Sequence, residues 1–333
     1  MTNFYKILFF NLLIFSTLIT ISSISWLSAW IGLEMNLLAL MPLMKNIKNK
    51  YSAEASIKYF ITQAMASSLL LFSIIIFFWL KNFNPFITMF SCVFLNSALL
   101  LKLGMAPFHF WLPEVISGLN WNMIIMLLTW QKIGPMILLS YCLYSPQFLS
   151  IIIIISSFIS SMQGMNQICL RKIMAYSSIN HMSWMISTLM SSFNIWMIYF
   201  LIYSLINFNI LIIFHTYKIY FLNQLSKLFS MNSHLKFFFM FNLLSLGGLP
   251  PFLGFFPKWM TINTLITNKF YIMSFILITS TLISLFFYLR ITFSSFLLNN
   301  EKSLILSFKG SLYLFFYLNF LSLTGLMLIL FFK

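Results

Sequence analysis

The sequence predicts an all-α polytopic membrane protein with about eleven transmembrane helices. Hydrophobic residues make up 61% of the 333-residue chain and charged residues only 7%, and the mean hydropathy is +0.96. A soluble fold of this length needs more polar surface than this composition supplies, whereas lipid covers the outside of a helical membrane protein. The apolar residues also occur in runs of about 18 residues or more, the length that crosses a bilayer as a helix.

Eleven apolar runs are long enough to cross the membrane once each. The first two are separated by a very short connection at residue 25, so we expect them to form an antiparallel helical hairpin. No connection is long enough for a separate soluble domain, which leaves one transmembrane domain over residues 1–333. The predicted spans are residues 4–24, 26–44, 57–79, 86–118, 121–144, 148–165, 173–191, 195–217, 237–266, 270–289 and 312–332.

The basic residues in the loops predict the orientation of the chain. If the spans alternate in direction, one side of the membrane receives only Lys81, Lys269 and Lys333. Loops on the inner side carry an excess of Lys and Arg, so the N-terminus is expected inside and the C-terminus outside. This distribution accounts for the net charge of +15 without nucleic acid, which we do not expect as a partner. The residues assigned to the inner side are Lys6, Lys45, Lys48, Lys50, Lys58, Arg171, Lys172, Lys218, Lys227, Lys236, Arg290, Lys302 and Lys309.

Two of the spans are interrupted by glycine and proline. Residues 86–118 contain LLLKLGMAPFHFWLPEV, in which the break follows Lys102. Residues 237–266 contain NLLSLGGLPPFLGFFPKW, in which the break precedes Lys258. Broken backbone at membrane depth is tolerated where protein or a water-filled cavity satisfies the freed polar groups. The pattern leaves open whether these are related features or two independent proline kinks.

The spacing of the interrupted spans predicts an internal repeat. They are the fourth and ninth spans, so they hold the same place in two five-span halves, residues 4–144 and 148–289. Because five is odd, the second half is expected to be inverted in the membrane relative to the first, an architecture common among transporters. Residues 312–332 then form one extra C-terminal helix.

Four charged residues inside apolar runs are the main candidates for a functional site: Glu34, Lys102, Lys132 and Lys258. The chain has only four acidic residues, so a glutamate within a span does not reflect abundance. An ionisable side chain at mid-bilayer costs about 2.5–3.5 kcal/mol on insertion scales. Such residues usually face a hydrated interior, pair with one another and mark a path for ions or protons. The sequence therefore predicts that the chain moves charge across the membrane.

Each of these residues also has a structural interpretation. Glu34 could be neutral and bonded to a backbone carbonyl, or it could be the charged partner of Lys102. A membrane lysine often extends its ammonium group to the surface, but Lys132 lies near the middle of its span, too far from either surface. A lysine held in an apolar interior can instead take up and release a proton near neutral pH.

His181, in AYSSINHMSWM, has two interpretations that the sequence leaves open. It could relay protons, because the ordinary pKa of imidazole is near 6.5, or it could be a hydrogen-bonded core residue. Other polar residues that could line a hydrated path are His109, Gln131, Tyr176, Asn207 and Asn242.

The sequence contains no cofactor motif. The cysteines form no CxxC pair, which argues against an iron–sulfur cluster or a zinc site held by this chain. The motifs GxGxxG, Walker A and HExxH are also missing from the sequence. We therefore expect no cofactor and no metal in this chain. The three cysteines are Cys92, Cys142 and Cys169.

Three motifs resemble one known family. LLLKLGMAPFHFWLPEV, AYSSINHMSWM and NLLSLGGLPPFLGFFPKW are similar to segments of the antiporter-like proton-translocating membrane subunits of respiratory complex I, NADH:ubiquinone oxidoreductase. The resemblance runs essentially from end to end. It implies that Glu34 is the acidic partner of Lys102, that Lys132 is the central lysine, and that Lys258 lies near the outer exit.

The resemblance also implies where the chain works. It suggests a proton-pumping subunit in the mitochondrial inner membrane, with a matrix-side N-terminus and a C-terminus on the intermembrane-space side. Neighbouring antiporter-like subunits, other membrane-arm subunits and lipids such as cardiolipin are the expected partners. NADH, FMN, iron–sulfur clusters and ubiquinone are expected in other subunits. Two alternatives stay open: a subunit of a multisubunit sodium/proton antiporter, and a structural scaffold of the membrane arm.

Overall fold

The computed structural model of the chain describes residues 4–46, 49–80, 85–225, 233–297 and 319–320. Across these residues every regular element is a helix, apart from one isolated antiparallel bridge between Cys169 and Phe221. The prediction of an all-α protein is therefore confirmed.

The chain divides into two compact units, Met1–Ile152 and Ile153–Lys333. The division falls inside the eighth helix. The α-helices of the described residues are α1 (Phe4–Ser22), α2 (Trp26–Met44), α3 (Lys50–Leu80), α4 (Pro85–Leu103), α5 (Trp111–Gly118), α6 (Trp121–Leu128), α7 (Trp130–Ser140), α8 (Pro146–Met165), α9 (Leu170–Ser191), α10 (Phe193–Tyr217), α11 (Ser233–Gly247), α12 (Phe255–Thr267) and α13 (Tyr271–Leu297), with a 3₁₀ helix at Leu222–Leu225 between α10 and α11.

Seven helical segments in the described residues are long and apolar enough to cross a membrane, with α6 and α7 taken together as one segment. Two shorter apolar helices, Ser91–Leu103 and Lys236–Gly247, belong to the interrupted spans. The last predicted span, residues 312–332, lies outside the described residues except for Asn319 and Phe320. The structure thus shows a polytopic helical protein, and the number of eleven spans stays a prediction.

In the first unit, α1 and α2 form the expected antiparallel hairpin. Ser25 caps the start of α2, where its hydroxyl accepts a hydrogen bond from the Ser28 backbone N–H at 3.2 Å. Helix α3 packs against α2, α4 and α5, and α7 packs against α1 and α4. Apolar side chains such as Phe15 and Met65 remain exposed on the outer faces of these helices, as expected where lipid is the solvent.

The fifth predicted span, residues 121–144, is not one continuous helix. It is divided at Thr129, between α6 and α7, and α7 ends at Ser140. Pro135 has no backbone N–H and its ring crowds the carbonyl four residues earlier, which disturbs the helix at this point. The Ile125 carbonyl accepts both the Thr129 backbone N–H, at 3.1 Å, and the Thr129 hydroxyl, at 2.7 Å. The break lies three residues before Lys132.

In the second unit, α9 is buried along almost its whole length and packs against α10, α12 and α13. Its buried residues are polar as well as apolar, so it has no apolar stripe of the kind seen on surface helices. Arg290 of α13 fastens the end of α8, where its guanidinium donates to the Met165 and Gln167 carbonyls at 2.7 Å each. A helix end closed by a cation in this way leaves fewer unsatisfied carbonyls.

Candidate functional site

Lys102 lies in the last turn of α4, where the first interrupted span breaks. The helix is closed by two backbone hydrogen bonds, from Met105 N–H to Leu100 O and from Gly104 N–H to Leu101 O, each 3.1 Å long. This is a Schellman motif, and it requires the positive φ of 73° that Gly104 adopts. The motif holds the Lys102 ammonium near the negative end of the helix dipole.

Lys102 and Lys132 line the same small cavity in the first unit. The cavity measures about 30 Å³, which is room for about one or two water molecules. Its wall also carries three side-chain amides. The Gln131 amide donates to Asn36 Oδ1 at 3.1 Å, and the Gln63 amide donates to the Lys102 carbonyl at 3.3 Å. The structure therefore brings two predicted lysines together across a polar interior space.

Lys132 follows the break at Thr129 and is almost completely buried, with 2% of its surface exposed. Lys102 is 8% exposed. Both side chains are therefore buried within the first unit and do not extend their ammonium groups to its surface. The break places Lys132 beside the cavity instead of on the outside of a continuous helix.

Glu34 is the predicted partner of Lys102, but the two are not joined by a contact ion pair. Glu34 is half-buried on α2, and its side chain is not part of the cavity wall. When ionised, Glu34 acts on Lys102 through space instead of by contact. Among the described residues, the ion pairs within 4.0 Å are those of Lys58 with Glu54 and Glu114, at 3.0 and 2.9 Å. The functional role of Glu34 stays a prediction.

Lys258 lies in the first turn of α12, directly after the second break, and is 7% exposed. Its Nζ donates to the last carbonyls of α11, those of Leu246 at 3.1 Å and Gly247 at 2.9 Å. Gly248, with φ of 82°, ends α11 and passes so close to Lys258 that an added Cβ would lie 2.7 Å from Cδ. The second break thus also places an ammonium group at the carboxyl end of a helix.

The two breaks share the same closing motif. In α11 the Leu249 N–H bonds Leu244 O at 3.4 Å and the Gly248 N–H bonds Ser245 O at 3.0 Å, which repeats the arrangement at the end of α4. In the first case the lysine belongs to the helix that ends, and in the second it comes from the helix that follows. The two interruptions are therefore alike in geometry as well as in sequence.

His181 is buried on α9, and its Nδ1 is hydrogen-bonded to the Tyr199 hydroxyl at 3.0 Å. It lines a cavity of about 10 Å³ together with Ser245 and Leu246 of α11. Since Lys258 binds the Leu246 carbonyl, the histidine and the third lysine lie on two sides of the same helix end. The sequence did not connect these two residues.

The other predicted polar residues have different environments. Gln131 lines the cavity of the two lysines, whereas His109 and Asn207 are buried elsewhere and Asn242 is hydrogen-bonded to Asn319. Tyr176 is half-buried on α9. Residues that the sequence analysis missed are Asn36, Gln63 and Tyr199, and their only signal is a polar side chain within an apolar span.

No group of three or more His, Cys, Asp or Glu side chains in the described part of the chain is arranged to hold a metal ion. The expectation that cofactors belong to other subunits stays a prediction.

Solved structures with the same fold define the class of protein. The chain matches a chain of respiratory complex I from Thermus thermophilus with a TM-score of 0.84 and 21% identity, over 97% of this chain and 78% of that one. It also matches a chain of the Mrp complex from Dietzia sp. with a TM-score of 0.75 and 13% identity, over 84% of this chain and 58% of that one. Residues 23–284 match the NADH:quinone oxidoreductase/Mrp antiporter transmembrane family. The fold is that of an antiporter-like transmembrane subunit.

Relatives of known identity narrow this class. NADH-ubiquinone oxidoreductase chain 2 of Anopheles gambiae is 50% identical over 299 residues, which are 89% of this chain and 87% of that protein. The protein of the same name from Aedes aegypti is 47% identical over 328 residues, or 97% and 96% of the two chains. The Xenopus laevis protein is 41% identical over 285 residues, or 83% and 81%. The chain belongs to the NADH-ubiquinone oxidoreductase chain 2 family, and the resemblance found in its motifs is confirmed.

Proposed function

We propose that the chain is a membrane-arm subunit of mitochondrial respiratory complex I and takes part in moving protons from the matrix to the intermembrane space. Its membership of the NADH-ubiquinone oxidoreductase chain 2 family supports the assignment to this complex. Under this proposal, NADH oxidation and ubiquinone reduction take place in other subunits, which hold the FMN and the iron–sulfur clusters. Other membrane-arm subunits and inner-membrane lipids such as cardiolipin surround the chain.

The observation that carries the proposal is the shared cavity of Lys102 and Lys132. The Lys102 ammonium gives up one proton and becomes a neutral amine, and Lys132 takes up one proton and becomes an ammonium ion. The amides of Asn36, Gln63 and Gln131 can solvate the charge in either position, since an amide offers both donors and acceptors. One N–H bond breaks at Lys102 and one N–H bond forms at Lys132 in this step.

Electrostatic coupling between Lys102 and Lys132 allows the position of the proton to be switched. Two unit charges about 8 Å apart at an effective dielectric near 20 interact by about 2 kcal/mol, which is about thirtyfold in a proton equilibrium. A positive charge on one lysine therefore opposes a second charge on the other. Glu34, acting on Lys102 through space, favours the charge at Lys102. A movement of Glu34 relative to Lys102 would shift the proton toward Lys132.

The second unit carries the later part of the proposed path. There the neutral amine of Lys258 accepts the proton, and the ammonium group that forms donates to two helix-end carbonyls. His181 lies beside the same helix end. The matching closing motifs of α4 and α11 support the proposal that residues 4–144 and 148–289 are inverted repeats. In that topology the N-terminus faces the matrix and the C-terminus faces the intermembrane space.

Replacing Lys132 by methionine tests the proposal, because methionine keeps much of the apolar stem and removes the exchangeable proton. We expect the assembled complex carrying Lys132→Met, reconstituted in liposomes, to lose nearly all of the NADH-driven proton translocation that this subunit contributes. The exposed Lys6 provides the matched control, and Lys6→Met is expected to pump as the unmodified complex does. Undiminished proton translocation with Lys132→Met would show that this lysine is not on the path.

The same complexes separate the proposal from its alternatives. A structural scaffold predicts that Lys132→Met changes the yield of assembled complex and leaves the protons moved per NADH unchanged. A sodium/proton antiporter subunit predicts sodium-dependent transport that continues when NADH is withheld. Both outcomes differ from loss of NADH-driven proton translocation in a fully assembled complex.

A further inference from the structure

Buried side-chain hydrogen bonds connect helix α9 to the neighbouring helices of the second unit. Asn180 of α9 donates to Ser284 of α13 at 3.0 Å. A further bond joins His181 Nδ1 and the Tyr199 hydroxyl of α10 at 3.0 Å, and it involves an imidazole, a side chain that can bind and release a proton. Tyr199 is 1% exposed, so water does not compete for its hydroxyl.

The role of the His181–Tyr199 bond depends on the other ring nitrogen of the histidine, Nε2. A neutral imidazole has one N–H donor and one acceptor nitrogen, and an imidazolium has two donors. If Nδ1–H donates to the Tyr199 oxygen, that bond is kept in both protonation states and is stronger when the ring carries a charge. The proton is then gained and lost at Nε2 alone, and the ring does not have to turn between the two steps.

The groups around His181 are compatible with an imidazole that alternates between its neutral and its protonated form. Tyr199 and Tyr203 of α10 lie with ring centroids 6.1 and 5.1 Å from the imidazole. Lys258 of α12 lies at the helix end that borders the histidine cavity. Tyr288 is buried on α13, which also packs against α9. The described residues of the second unit include no carboxylate, so none is available there to orient the ring.

We propose that Tyr199 is a positioning residue for His181, which accepts a hydrogen bond from Nδ1–H in both protonation states and makes Nε2 the nitrogen that exchanges protons on the path to Lys258. This inference rests on the proposed function of the chain. The lone pair of Nε2 binds one proton to form the imidazolium ion, and the same N–H bond breaks when the proton leaves. Tyr199 keeps its own proton throughout.

The test is Tyr199→Phe in the assembled complex, with proton translocation per NADH measured across a pH series. Phenylalanine retains the ring and removes the acceptor, so the buried imidazolium loses a charge-assisted hydrogen bond. We expect the pH profile of proton translocation to move to lower pH by about one unit, with about a tenfold loss on its alkaline side. In a His181→Gln background, Tyr199→Phe is expected to have no further effect.

Tyr288→Phe is the matched control, because it removes a buried tyrosine hydroxyl from a helix that packs against α9 and leaves the histidine bond intact. Its pH profile is expected to stay where it is. If Tyr199→Phe fails to assemble, Tyr199→Gln restores an acceptor oxygen, and its pH profile is expected to match that of the unmodified complex.

Three results would overturn the inference. They are an unmoved pH profile with Tyr199→Phe, an equal displacement with Tyr288→Phe, and an assembled Tyr199→Gln complex whose profile is displaced. If Lys132→Met abolishes pumping while Tyr199→Phe has no effect, the inference fails and the proposed function stands. If neither change affects pumping, the proposed function itself fails.

Discussion

The three buried lysines are held in two different ways. Lys258 donates to two backbone carbonyls, which are fixed dipoles and keep no proton themselves. Lys102 and Lys132 instead border a space lined by amides and large enough for water. A charge at Lys258 is therefore stabilised by rigid backbone, whereas the charge between Lys102 and Lys132 can be redistributed. Lys258 is therefore suited to be the last proton acceptor, and Lys102 and Lys132 are suited to share one proton.

Glu34→Gln tests the through-space action of Glu34 on Lys102. Each loss of about 1.4 kcal/mol of attraction between a carboxylate and an ammonium group corresponds to a tenfold change in a proton equilibrium. We therefore expect the assembled Glu34→Gln complex to translocate protons about tenfold more slowly. Leu38, an exposed apolar residue one turn further along α2, provides the control, since Leu38→Met leaves the charge in place. Equal rates for Glu34→Gln and Leu38→Met would remove Glu34 from the path.

The residues of the site could be predicted from the sequence to different degrees. Lys102, Lys132 and Lys258 were recognisable because a charge inside an apolar run is expensive and has to be compensated. Asn36, Gln63 and Tyr199 were not, because uncharged polar groups occur in many spans and their partners come from distant helices. Glu34 was predicted as the charged partner of Lys102; the two do not form a contact ion pair, and their functional pairing stays a prediction.

At the scale of helices, the breaks after α4 and α11 each end a helix and also position a lysine. Each one closes with a glycine of positive φ, and each places an ammonium group at the carboxyl end of the preceding helix. Glycine and proline in the sequence were enough to predict these breaks. The third break, at Thr129, was missed because Pro135 lies six residues further on, in a span that otherwise reads as continuous.

Gly248→Ala tests the role of the second break. A left-handed conformation costs a non-glycine residue about 1–2 kcal/mol, and the new Cβ would also displace the Lys258 side chain, whose Cδ lies 2.7 Å away. We expect a shorter thermal inactivation half-life of the complex and slower proton translocation. Gly247→Ala is the matched control, because its Cβ would meet only ordinary contacts of 3.5 Å or more. Equal behaviour of the two variants would contradict the close approach of Gly248 to Lys258.

At the scale of the whole molecule, the composition determines the class and the motifs determine the family. A hydrophobic content of 61% and long apolar runs indicated a polytopic helical protein, and the described residues confirm it. The cavities could not be predicted, because their walls combine side chains from helices far apart in sequence. The orientation in the membrane depends on loop charges rather than on packing, and it stays a prediction.

Labelling of single cysteines with a membrane-impermeant maleimide tests the orientation. In a chain with Cys169 replaced by serine, Lys45→Cys is expected to react only from the matrix side and Asn268→Cys only from the intermembrane-space side. Both positions are exposed at helix ends, and the two remaining native cysteines, Cys92 and Cys142, are buried. Reaction of both positions from one side would contradict the alternating topology and the inverted repeats that depend on it.

The central claim is that Lys102 and Lys132 act as one relay across their shared cavity. The most direct measurement is the number of protons translocated per NADH oxidised in complexes carrying Lys102→Met, Lys132→Met or both. The effects of replacing residues that act as a unit are not additive. Either single change is therefore expected to remove nearly all of the protons per NADH that this subunit contributes. The double change is expected to remove no more than a single change does. Independent, additive losses from the two changes, or a full proton count in either single variant, would contradict the account.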